Sequence, residues 1–130
     1  MRALARRAAC AVLVSAIPAL SGCGPSLDEQ ARRLGQQPFT RQAWAAADQV
    51  KRGAMTASLF AQHPPVTQTA QGLRDLLGPP TGYFDYDENL AYVVGPTSIA
   101  SRYAQGYLLV FMVDKASGKI TSARFEPPVN

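Results

Sequence analysis

Side chains that build metal and disulfide sites are scarce in this sequence: 130 residues hold two cysteines, Cys10 and Cys23, and one histidine, His63. Structural zinc sites take four Cys or His ligands at close spacing, so none is expected. His63 stands beside Pro64 and Pro65 and is read as a helix-end residue whose partial positive charge suits the dipole, not as a metal ligand or triad member. Long apolar runs are absent too. Ala8 to Leu20 spans 13 residues, with Ser15 inside and Pro18 near its end, short of the roughly 20 that cross a ~30 Å hydrocarbon layer. A permanent transmembrane helix is therefore not expected.

Motifs of group-transfer chemistry are also missing. Gly78-Pro79-Pro80 closes a helix and is no phosphate loop following a strand. Ser98, Ser101 and Ser117 lack the surroundings of an activated nucleophile. Asp85, Asp87 and Asn89 fall at positions 1, 3 and 5 of a calcium loop, but Leu90 and Pro96 occupy positions 6 and 12, where glycine and a bidentate glutamate are required. The segment Asp85 to Asn89 is read as a solvated acidic turn; a weak divalent site and a carboxylate pair for acid–base work are the alternatives. No catalytic residue, cofactor or metal is expected, and the chain is not expected to be an enzyme.

What the N-terminal stretch does hold is an export signal. Arg2, Arg6 and Arg7 precede the apolar run without an acidic residue among them, the order of a signal peptide's charged and apolar regions. Leu20-Ser21-Gly22-Cys23 then resembles the lipobox of bacterial lipoproteins: an aliphatic residue, two small residues and the cysteine that receives lipid. That resemblance implies a signal peptide over 1–22 and lipid attachment on Cys23. Two or three acyl chains, at ~0.8 kcal/mol per buried CH₂, anchor a protein stably where one does not. Gly24 stands where an aspartate retains such proteins in the inner membrane, so the resemblance implies the periplasmic face of the outer membrane.

Removing the signal changes two other readings. Cys10 leaves and Cys23 is consumed, so no disulfide forms in the remainder. The formal charge of +4 falls close to neutral, with ten basic side chains against nine acidic ones after Arg2, Arg6 and Arg7 are lost. No basic stripe remains to bind nucleic acid.

Residues 23–39 are polar and charged in the middle, with Pro25, Gly35 and Pro38, and are expected to form a tether, with one helical turn over Leu27 to Leu34 as an option. Thr40 is an N-cap candidate for a helix reaching roughly Gln62. Ala43, Ala47, Val50 and Ala54 repeat at helical spacing. Gly53 weakens this run by ~1 kcal/mol, so a bend or a helix junction near it is an open alternative. A second helix is expected from Thr67 or Thr69, with Val66, Ala70, Leu73 and Leu77 as its apolar stripe and Gly78 at its end. Aromatic and β-branched residues at Tyr83, Phe84, Tyr86, Tyr92, Val93 and Val94 read as strand. Tyr107 to Val113 lacks a polar face and is expected to be a central strand covered by helices. Asp114 to Gly118 and then Lys119 to Phe125 complete a hairpin, with Gly118 at positive φ.

The order of these elements resembles the SmpA/OmlA lipoprotein domain. The match is carried by Leu73-Arg74-Asp75-Leu76-Leu77-Gly78-Pro79-Pro80, Tyr83 to Tyr86, Leu109-Val110-Phe111, and Gly118 to Phe125. The resemblance implies an α+β fold over 40–126, two helices packed on a three-stranded antiparallel sheet, followed by a tail at 127–130. It also implies a non-enzymatic, protein-binding role in outer-membrane assembly or maintenance.

Tyr83, Tyr86, Tyr92 and Tyr103 are the candidate partner surface, because tyrosine is enriched at interfaces and tolerates partial exposure. Sheet packing is the alternative use of the same residues. The expected partners are the membrane, through lipid on Cys23, and an envelope protein. A periplasmic ligand-binding or hydrolase-inhibitor module is the competing reading.

Overall fold

The computed structural model describes residues 24–130; the signal segment and Cys23 lie outside the described residues. Four α-helices, α1 (Leu27–Arg33), α2 (Arg41–Ala46), α3 (Gln49–Gln62) and α4 (Ala70–Leu77), precede three strands, β1 (Leu90–Val94), β2 (Tyr107–Val113) and β3 (Ile120–Glu126). The strands form an antiparallel sheet in the order β1-β2-β3. The protein is therefore α+β, with β2 in the centre. No helix among the described residues is long and apolar enough to cross a membrane.

The stretch expected as a tether is folded. Ser26 caps α1 by accepting from the Glu29 N–H, while Asp28 and Glu29 in the first turn and Arg32 and Arg33 in the last complement the helix dipole. Leu27, Ala31 and Leu34 fall at i, i+4 and i+7, one stripe, and Ala31 is fully buried against the core. Phe39 is buried as well. Few apolar positions suffice here because all of them lie on one side.

The helix expected from Thr40 to Gln62 is two helices. Thr40 does cap the first, accepting from the Ala43 N–H, but the break comes at Ala47, whose extended ψ of 148° ends α2. Asp48 then caps α3 through the Lys51 N–H. Gly53 lies inside α3 and serves another purpose. A Cβ there would stand 2.8 Å from the Gly95 nitrogen, so glycine lets the helix touch the backbone at the end of β1.

Thr69 caps α4, accepting from the Gly72 N–H, and Gly78 ends it at φ 77°. Val66 is not on the buried stripe: it sits in a 3₁₀ turn, Pro65–Thr67, and is exposed. Leu73 and Leu77 are buried. The hairpin turn holds Gly118 at φ 73°, and Asp114 accepts from the Ser117 hydroxyl at 2.7 Å and the Ala116 N–H at 3.3 Å.

Each face of β2 has a different cover. Tyr107, Leu109 and Phe111 join Trp44, Met55, Leu59, Phe60, Leu73, Tyr92 and Phe125 in the main core beneath the helices. Leu108 and Val110 point the other way and are covered by Phe84, Tyr103 and Ala104 from loops. Both faces are therefore dry, which accounts for the missing polar alternation in Tyr107 to Val113.

Candidate binding surface

The aromatic run Tyr83 to Tyr86 is a loop and not a strand. Thr81 and Gly82 both donate their N–H to the Ala91 carbonyl, and Thr81 Oγ1 accepts the Val93 N–H at 2.8 Å. The loop is thereby fastened to the outer edge of β1. Gly82 permits the approach, since a Cβ there would meet Leu108 Cδ2 at 2.6 Å. Phe84 then plugs the sheet's far face, with Arg124 over its ring at 4.8 Å and Tyr103 at 5.1 Å.

Asn89 closes the loop from beneath. Its side-chain nitrogen donates to the Phe84 carbonyl at 3.2 Å and its oxygen accepts the Val113 N–H at 3.1 Å. Asp85 turns the chain at φ 57°, a conformation that Asp and Asn tolerate better than most residues. With Phe84 directed inward, Tyr83 and Tyr86 are left outward, 57% and 62% exposed. The Tyr83 hydroxyl donates to the Asp85 carbonyl at 2.9 Å. Partial loss of hydration, then the negative charge of Asp87 and of Asp85 and Glu88, hold that hydroxyl's pKa above its ordinary value.

The four candidate tyrosines thus separate. Tyr83 and Tyr86 form an outward pair; Tyr103 is half-buried and supports Phe84. Tyr92 does not belong to the surface. It is fully buried on the helix-facing side of β1, edge-on to Trp44 at 6.0 Å and Phe111 at 6.2 Å. Its hydroxyl donates to the Gly78 carbonyl at 2.8 Å. Burial pushes its pKa up to about 12 against the opposing charge of Arg74 and Arg52.

Among the described residues, no three His, Cys, Asp or Glu side chains gather to hold a metal ion. Among the described residues, Asp85, Asp87 and Glu88 line none of three grooves of 930, 510 and 420 Å³. His63 ends α3 and stands edge-on to Phe39 at 6.0 Å. A groove of 930 Å³ lies between α1, α3 and the 3₁₀ turn, with Leu27, Phe60 and Pro65 among its apolar walls and Asp28 and Arg32 among its polar ones. A smaller one, 510 Å³, brings Arg41, Arg52 and Arg74 together. Helical periodicity gives no sign of that meeting, because the three arginines come from three separate helices. Comparison with protein-family models, curated proteins and solved structures gives no match for this chain.

Proposed function

We propose that this chain is a non-enzymatic lipoprotein of the bacterial envelope, held by lipid on Cys23 at the periplasmic face of the outer membrane, that works by binding another envelope protein through Tyr83 and Tyr86. One observation carries the binding role: two large aromatic side chains stand more than half exposed on a loop whose backbone is otherwise fastened to the sheet. Tyrosine supplies much contact area for two side-chain torsions. A loop already held in place loses little further entropy on binding.

The lipobox over Leu20 to Cys23 supports the anchor. The SmpA/OmlA resemblance supports a role in outer-membrane assembly or maintenance, and an antiparallel three-stranded sheet with helices on one face agrees with the architecture it implies. Here α1 and the break between α2 and α3 enlarge the two-helix layer.

A photo-activatable residue at position 86 tests this reading in intact envelopes. The expected result is one discrete cross-linked adduct that is absent when the probe sits at position 71 on α4. No adduct at position 86, with the protein folded and membrane-bound, would sink it. The 930 Å³ groove favours a second reading, a ligand-binding module; a small molecule copurifying with the native protein would support that reading instead.

A further inference from the structure

The groove framed by α2, α3 and α4 carries a charge excess that the tyrosine surface leaves unused. Arg41, Arg52 and Arg74 line it, one from each helix, against a single carboxylate, Asp75. Asp75 accepts from Gln71 Nε2 at 2.9 Å. Among the described residues none of these arginines is in an ion pair, the one pair being Arg124 with Glu126.

Arg52 is the fixed point of the groove. Its Nε donates to the Trp44 carbonyl at 3.0 Å, and its guanidinium lies over the Trp44 ring, 5.1 Å from the centroid. Stacking and this hydrogen bond set the plane of the fork, while its two terminal nitrogens have no protein acceptor among the described residues. A guanidinium held this way is ready to take a planar, two-oxygen anion.

A second concavity adjoins the groove. Arg52 and Thr81 line it too; it measures 420 Å³ and reaches Val93 on the outer edge of β1 and Gln105 in the loop before β2. On that edge the Ala91 carbonyl faces Thr81 and Gly82, and the Val93 N–H faces Thr81 Oγ1.

We propose that these two adjoining concavities together bind an extended, acidic polypeptide segment whose carboxylates meet Arg41, Arg52 and Arg74. Their course across three helices to the sheet edge suits a chain carrying repeated carboxylates better than one small anion. The surface shares no residue with Tyr83 and Tyr86, so its failure leaves the tyrosine reading intact.

The test uses the full chain as the cell makes it, in detergent, with a fluorescent peptide of alternating glutamate and alanine followed by anisotropy. Saturable binding is expected, with none for the matching lysine–alanine peptide. Arg41→Gln and Arg74→Gln, both exposed, should each weaken binding about 3- to 5-fold and together about 10-fold or more. Arg52→Gln should lose most of it, but that side chain also packs on Trp44, so the two exposed variants decide the matter. Salt at ~0.5 M should weaken the complex further. Unchanged affinity in the Arg41→Gln/Arg74→Gln double variant would overturn the proposal. So would full displacement of the peptide by inorganic phosphate, or binding to phosphatidylcholine vesicles containing phosphatidylglycerol without binding to the peptide.

Discussion

Val129 and Gln30, 99 positions apart, are joined by a hydrogen bond of 2.8 Å from the Val129 N–H to the Gln30 Oε1. The Val129 carbonyl accepts from Arg33 Nη1 at 3.0 Å, and the Val129 side chain is buried in the main core. The segment 127–130 therefore fastens α1 to the domain. Val129→Ala removes two buried carbons at ~0.8 kcal/mol each, so urea unfolding should show a loss of about 1.5 kcal/mol. Gln30→Ala should cost about 1 kcal/mol for the hydrogen bond. Unfolding midpoints equal to the parent's in both variants would mean that α1 is not held this way.

Gly53→Ala sets two effects against each other. Helix propensity alone favours alanine by ~1 kcal/mol. A Cβ at 2.8 Å from the Gly95 nitrogen, however, pushes on backbone that cannot turn aside as a side chain would. The overlap should win, giving net destabilisation of about 1–3 kcal/mol in thermal or urea unfolding. A stabilised variant would show that α3 and the end of β1 stand further apart.

Tyr92 links stability to alkaline pH. Its pKa rises from 10.0 in the unfolded chain to about 12 in the fold, so the folded state binds more protons between those values. Its contribution is fully present below pH 10 and is lost as the pH climbs towards about 12. Tyr92→Phe should be less stable than the parent near neutral pH by about 1 kcal/mol, through loss of the bond to the Gly78 carbonyl. It should also decline less steeply across that alkaline window. Parallel declines for the two proteins would assign the titration to another group.

Cys23→Ala tests the anchor directly. The parent is expected to partition with detergent-extracted membranes and to carry a lipid-modified N-terminal cysteine by mass spectrometry. The variant should accumulate as an uncleaved precursor or leave the membrane fraction. An unmodified cysteine on the membrane-derived parent would refute lipidation.

Helix ends and the hairpin were the most legible parts of the chain, because capping and turn chemistry are local. Thr40, Thr69, Gly78 and Gly118 act where their residue types require. Long-range events were hidden. Ala47 reads as a continuing helix until Asp48 captures the Lys51 N–H. Tyr83 to Tyr86 has strand composition, yet β1 takes its outward hydrogen bonds from Thr81 and Gly82, and Phe84 is spent covering Leu108 and Val110. The burial of Tyr92 follows from its pairing with Leu109, which turns its ring towards the helices. Composition gave the candidate tyrosines; only tertiary pairing separates the two that face solvent.

The cap at Ser26 sets the length of the mooring. With Cys23 lipidated as proposed, just Gly24 and Pro25 lie between the acyl chains and the first residue of the folded body, a reach of roughly 10 Å at full extension. A domain anchored on so short a line would not swing away from its membrane; it would ride against the headgroups, and a partner would have to meet it at the membrane surface.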